Sequence, residues 1–194
     1  MNYNPFSLQG KRILITGASS GIGQATAIES AKLGASLILT ARNEERLKDT
    51  ISMLEGSDHN YYVADLSNGI DIDNLIEKIP TINGCVNNAG FNKVQLLPFL
   101  KDDEMSNMLE VNFIAPIKLT HKLVKKKKLE KGASVVFTSS ISKSIVVPGN
   151  CMYSATKGGL SSFMKNAALE LASKNIRCNA VLPGMVETPL KDNK

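Results

Sequence analysis

Cysteine and histidine are scarce in this chain, and long apolar runs are missing. The three cysteines, Cys85, Cys151 and Cys178, stand far apart, are odd in number and form no CxxC pair. That pattern argues against a disulfide framework and against a zinc site. The two histidines, His59 and His121, lie apart from each other and from any acidic cluster at ligand spacing, so no metal is expected. No stretch approaches the roughly 18 apolar residues that cross a bilayer. The opening MNYNPFSLQG lacks the basic start and apolar run of a secretory signal. The expectation is a soluble, cytoplasmic protein with no membrane partner.

Repeats, low-complexity tracts and internal linkers are also missing. The 194 residues, 43% of them hydrophobic, are enough for one sizeable core, so residues 1–194 are read as a single domain. The net charge of +5 comes largely from the run Lys125–Lys128, flanked by Lys122 and Lys131. That run falls where a helix should end before Gly132, and cations are favoured at a helix carboxyl end. A nucleic-acid surface needs basic residues spread along a face, so no nucleic-acid partner is expected.

What is present is an alternation. Apolar strand candidates occur at 12–17, 36–42, 60–66, 84–90, 134–140 and 177–184, with helix candidates at 21–33, 43–54, 71–78, 103–109, 112–129 and 153–173. The strand candidates are continuously apolar, as strands covered on both faces are. Strand, helix, strand repeated in this way predicts an α/β fold, a doubly wound parallel sheet of the Rossmann type. Such a sheet binds ligands beyond the carboxyl ends of its strands.

The first strand candidate runs into Gly17-Ala18-Ser19-Ser20-Gly21-Ile22-Gly23 and then a helix. Glycine permits a tight turn and close approach to a pyrophosphate, and the helix amino end supplies free N–H groups. The second ends at Arg42, where an acidic side chain would bond ribose hydroxyls and repel a phosphate. Arg42 can instead pair with a 2′-phosphate, which favours NADP(H) over NAD(H). The alternative is that Arg42 only balances Glu44 and Glu45. Further on, Tyr153 and Lys157 in YSATK share a helical face. A tyrosine ordinarily ionises near pH ~10, and an adjacent ammonium favours its phenolate.

TGASSGIG at 16–23, NNAG at 87–90, Asn112, Ser140, YSATK at 153–157 and PGMVET at 183–188 together resemble the short-chain dehydrogenase/reductase family. The resemblance covers essentially the whole chain, in the family's order, and within the family it is nearest to the 3-oxoacyl-(acyl-carrier-protein) reductase group. It implies a catalytic set of Asn112, Ser140, Tyr153 and Lys157, with Ser140 rather than Ser139 as the serine. It implies a cofactor track of Gly17, Ser19, Ser20, Gly21, Ile22, Gly23 and Arg42, then Asp65 and Leu66 against the adenine. Asn88, Ala89 and Gly90 would border the ribose, Pro183, Gly184, Val186 and Thr188 would cradle the nicotinamide, and Tyr153 and Lys157 would complete the track.

The chemistry implied is hydride transfer between a nicotinamide and a carbonyl or secondary alcohol, with Tyr153 as proton donor and Ser140 bonding the oxygen. Lys157 would lower the Tyr153 pKa from ~10 toward ~7, about 4 kcal/mol of preference for the phenolate, and connect through water toward Asn112. The substrate would be a small-molecule or carrier-bound carbonyl, with Asn92 to Val94, Ser142, Asn150, Cys151 and Met185 edging its pocket. Lys93 is read as a solvated loop lysine. The resemblance also implies a homodimer or homotetramer. It implies a further strand and substrate-covering helices that are missing from this sequence, so the native polypeptide is expected to extend beyond Lys194. The competing expectation is a catalytically idle nucleotide-binding or scaffold protein of the same fold.

Overall fold

Among the described residues six strands are interleaved with six α-helices: β1 Arg12–Thr16, α1 Gly21–Lys32, β2 Ser36–Ala41, α2 Glu44–Ser52, β3 His59–Val63, α3 Gly69–Lys78 and β4 Ile82–Asn87 make the first half. Then follow α4 Asp102–Leu109, α5 Ala115–Lys125, β5 Leu129–Thr138, α6 Cys151–Leu171 and β6 Arg177–Val181. The structure, a computed structural model, describes residues 4–188. The strands form one sheet in the order β3-β2-β1-β4-β5-β6, and every neighbouring pair is parallel. This is the doubly wound parallel sheet expected from the alternation.

Residues that alternate along the central strands feed two cores, one on each face of the sheet. Ile15, Leu37 and Leu39 pack with Ala27 and Ala31 of α1 and Leu47 of α2. Leu14, Ile38, Val135 and Phe137 pack on the other face against Leu75, Leu119 and Leu160 from α3, α5 and α6. Continuous apolar sequence is thus what a strand covered twice requires. The helix starts follow local chemistry: the Asn43 side chain accepts the Arg46 N–H and the Asn68 side chain accepts the Ile70 N–H. Among the described residues no helix is long and apolar enough to cross a membrane.

The structure corrects several boundaries; β4 and β6, for example, stop at Asn87 and Val181 rather than at 90 and 184. Residues 112–129 do not form one helix. α4 passes through a π-helical turn, Glu110–Ile114, into α5, which ends at Lys125. Lys127 has a positive φ of 53° and the Lys128 N–H closes the turn on the Leu123 carbonyl. β5 then begins at Leu129, where helix was expected, because Leu129 pairs with Ile82 ahead of a register shift. The lysines at the end of α5 are also partly paired, Lys122 with Asp73 and Lys126 with Glu77 on α3. Finally, β3 stops at Val63, because Asp65 turns the chain by accepting the backbone N–H and the hydroxyl of Ser67. Lys194 and whatever follows it lie outside the described residues.

Candidate active site

The turn after β1 is built from backbone. Gly17 and Gly21 have φ of 62° and 55°, and a Cβ on Gly17 would meet the Ala89 Cα at 2.9 Å. A Cβ on Gly23 would lie 2.2 Å from the Gly17 carbonyl oxygen and 2.6 Å from Asn88 Nδ2. Neighbouring backbone therefore occupies the space that a side chain would need. Thr16 holds the turn to the end of β4: its hydroxyl accepts the N–H groups of Asn88 and Ala89 and donates to the Val86 carbonyl. Asn88 Nδ2 returns bonds to the carbonyls of Thr16 and Gly17.

At the start of α1 the Ser20 side chain caps nothing, and the first turn carries no acidic residue. Ser19 and Ile22 are half-buried in the same turn. Side chains thus leave the first-turn N–H groups to an outside anion. Thr188 lies across from this turn, 3.2 Å from where a Gly21 Cβ would be. Pro183 is tied to the site by its carbonyl, which accepts the Ile141 N–H, and Gly184 faces the Ile141 side chain. Val186 is exposed.

Arg42 is exposed just past β2, and it has no ion pair within 4.0 Å among the described residues. Its charge acts on Asp65 rather than on Glu44, whose partner is Lys48. Burial works to raise the Asp65 pKa, but the Ser67 hydrogen bonds and the Arg42 charge outweigh it and hold the carboxyl below its usual range. The Leu66 side chain packs into the larger core, so what it offers at this end is backbone.

The other end of the site is made of side chains. Ser139 and Ser140 follow β5 and point to different partners. The Ser139 hydroxyl donates to the Lys157 carbonyl and bonds the Ser161 hydroxyl, which turns it into α6. Ser140 Oγ accepts the N–H and the hydroxyl of Ser142, and it lies near enough to Tyr153 to favour the phenolate. Lys157 is buried, donates to the Thr138 carbonyl at 2.8 Å and stands 5.7 Å from the centroid of the Tyr153 ring.

Asn112 is fully buried in the π-helical turn, not capping a helix. Its amide clamps Phe91, accepting that residue's N–H and donating to its carbonyl. A Cβ on Gly90 would come within 3.0 Å of Asn112 Oδ1 and 3.4 Å of Lys157 Nζ, so the bare backbone of Gly90 is what lets these two groups share one space.

Burial pushes Lys157 down to about 8. Tyr153 moves the opposite way from the expectation: burial raises it, and the neighbouring Ser140 opposes that shift only in part. The reason is geometric. The lysine spends a hydrogen bond on Thr138 and lies over the ring, while removing the hydroxyl from water penalises the phenolate.

At the start of α6 lies a cavity of about 460 Å³ lined by Leu96, Leu97, Val146, Val147, Cys151 and Ser154 among others, none of them charged. Asn150 also lines it and accepts from Asn92. Val94 abuts Gly149, whereas Met185 is exposed and Ser142 is buried against Ser140. Lys93 is not simply solvated, since it pairs with Glu104. Thr138 and Phe91 are site-building residues that sequence reasoning passed over, and Thr16, quoted within TGASSGIG, was given no role there. Their contributions run through single hydroxyl or backbone groups, which leave no pattern in a sequence.

The sheet order, reversing between β1 and β4 where both halves of the site meet, defines a doubly wound α/β protein of the Rossmann class. Residues 11–194 match the family described as short chain dehydrogenase, and the chain belongs to that family. It is an oxidoreductase acting on CH–OH and carbonyl groups. It is 34% identical over 185 residues to the 3-oxoacyl-(acyl-carrier-protein) reductase of Rickettsia felis, covering 95% of this chain and 76% of that protein. A crystal structure of the 3-ketoacyl-(acyl-carrier-protein) reductase of Brucella melitensis complexed with NADH superposes with a TM-score of 0.87 at 32% identity, covering 95% of this chain and 79% of that one. A short chain dehydrogenase of Burkholderia cenocepacia in complex with NADP gives 0.90 at 30% identity, covering 94% and 77%.

Proposed function

We propose that the protein reduces 3-oxoacyl thioesters, with NADPH preferred over NADH. The observation that carries this reading is the convergence of Ser140, Tyr153 and Lys157, with an uncharged, apolar cavity suited to an acyl chain at the start of the same helix, α6. The dinucleotide is supported by the glycine turn, whose missing Cβ atoms and uncapped helix start fit a pyrophosphate. Arg42, free of ion pairs among the described residues, supports a 2′-phosphate.

The dinucleotide, when bound, supplies hydride for the carbonyl carbon. Tyr153 gives its proton to the carbonyl oxygen, and Ser140 donates a hydrogen bond to the same oxygen. The raised pKa suits Tyr153 to remain protonated until that moment. Lys157, titrating at about 8, exchanges protons near neutral pH and returns one to Tyr153 through the space it shares with Asn112 at Gly90. Asn88, Ala89 and Gly90 border the dinucleotide, Asp65 and the Leu66 backbone flank its adenine end, and Pro183, Gly184, Val186 and Thr188 its nicotinamide end.

The reading takes residues 1–194 as one domain of a homodimer or homotetramer. Leu169, 79% exposed on α6, supports association through that helix. The deciding experiment follows NADPH consumption with 3-oxoacyl thioesters of increasing length beside simple ketones, sugars and steroids. Turnover is expected to be fastest with the thioesters and slower with NADH. Faster reduction of a sugar would overturn the substrate, and dinucleotide binding without turnover on any carbonyl would favour the idle scaffold.

A further inference from the structure

Ser140 is held more tightly than a hydroxyl that only meets a substrate needs to be. Its Oγ accepts the backbone N–H of Ser142 at 3.1 Å and the Ser142 hydroxyl at 2.9 Å. A serine oxygen has two lone pairs and one proton. Both lone pairs are thus filled by a single residue, and the proton is what remains to be given. Both serines are only 8% exposed, so water competes poorly for these positions. Ser139 makes the contrast, since its hydroxyl is spent on the Lys157 carbonyl and the Ser161 hydroxyl of α6.

We infer that Ser142 is a positioning residue for the reaction: by filling both acceptor positions of Ser140, it obliges the Ser140 O–H to donate toward the oxygen that Tyr153 protonates. The inference rests on the reading of Ser140 as the hydroxyl that bonds the substrate carbonyl oxygen. Ser140 works to lower the Tyr153 pKa, the sense expected of a hydroxyl that turns its proton toward the phenolic oxygen. Without the Ser142 hydroxyl, the Ser140 O–H can rotate inward, and only part of its population donates to the reacting oxygen.

Ser142→Ala in the full chain keeps the backbone N–H and removes the hydroxyl alone. It is expected to lower kcat about three- to tenfold, the worth of one ordinary hydrogen bond. KM and dinucleotide affinity should hold, while the Tyr153-dependent limb of the pH profile moves to higher pH. Ser142→Thr restores both properties. In a Ser140→Ala background the effect of Ser142→Ala should vanish, because it acts through Ser140.

A loss that persists in that background, or that threonine does not rescue, makes Ser142 merely structural and overturns the inference. Wild-type kcat and pH profile in Ser142→Ala, beside a Ser140→Ala enzyme that has lost turnover, overturns the inference and leaves the role of Ser140 standing. Wild-type turnover in Ser140→Ala overturns both.

Discussion

The carboxyl end of β1 and the carboxyl end of β5 face the same crevice but are built on opposite principles. At β1 the working surface is backbone, and its essential feature is the absence of side chains at Gly17, Gly21 and Gly23. At β5 and α6 it is a set of buried polar side chains whose hydrogen bonds are divided among close neighbours: Ser139 to α6, Ser140 to Ser142, Lys157 to Thr138. The difference teaches where each end can fail. A backbone site fails by intrusion of atoms, whereas a polar cluster fails by loss of a proton or of a partner.

The sharpest break in this comparison is Tyr153→Phe, which removes one hydroxyl and leaves the glycine turn untouched. Turnover is expected to fall about a thousandfold, the scale of general acid catalysis, with dinucleotide affinity within a few-fold of wild type. Steady-state kinetics beside a fluorescence titration of the dinucleotide checks both halves, and near-normal turnover would remove Tyr153 as the acid.

Gly23→Ala is the converse. Its Cβ would sit 2.2 Å from the Gly17 carbonyl oxygen, a backbone atom that cannot step aside cheaply. Dinucleotide affinity is expected to fall about a hundredfold, with a stability loss of about 1–3 kcal/mol from overpacking. Titration and denaturant unfolding measure the two, and unchanged affinity would show that the turn is not a ligand cradle.

Arg42→Asp should move the ratio of NADPH to NADH use toward NADH by about ten- to a hundredfold, exchanging attraction for repulsion at a phosphate. A wild-type enzyme that uses both equally would sink the role given to Arg42.

The smallest effect is on stability, through Lys157. Unfolded, this lysine keeps its proton up to its ordinary 10.5; folded, burial brings it down to about 8. Between those values the unfolded chain binds more protons, so stability rises with pH across that window, and the cost of the buried charge is fully present below pH 8. Lys157→Met, while inactive, should therefore be about 1–3 kcal/mol more stable than wild type at pH 7, with the advantage shrinking above pH 8. Urea unfolding at neutral and alkaline pH tests this, and a variant less stable at pH 7 would show that the bond to Thr138 outweighs the desolvation.

The sequence by itself determined the alternation of strands and helices, and hence the parallel sheet. A strand buried on both faces must be apolar throughout, and nothing distant has to be known to see it. It also determined the glycine turn, because the need for a missing Cβ is written at the position itself. It failed at β5, whose first residues, Leu129-Glu130-Lys131-Gly132, suit a helix end and become strand only because Leu129 finds Ile82.

Asn112 stood at an expected helix start, yet tertiary packing places it inside a π-helical turn, clamped on the Phe91 backbone. The direction of the Tyr153 shift was also beyond the sequence. Spacing puts Lys157 one helical turn away, but only the folded protein decides that its ammonium goes to Thr138 and that burial governs the phenol. A local pattern states which groups are available. Which partner each group takes, and how much water it keeps, depends on residues far away in the chain, and that only the tertiary structure decided.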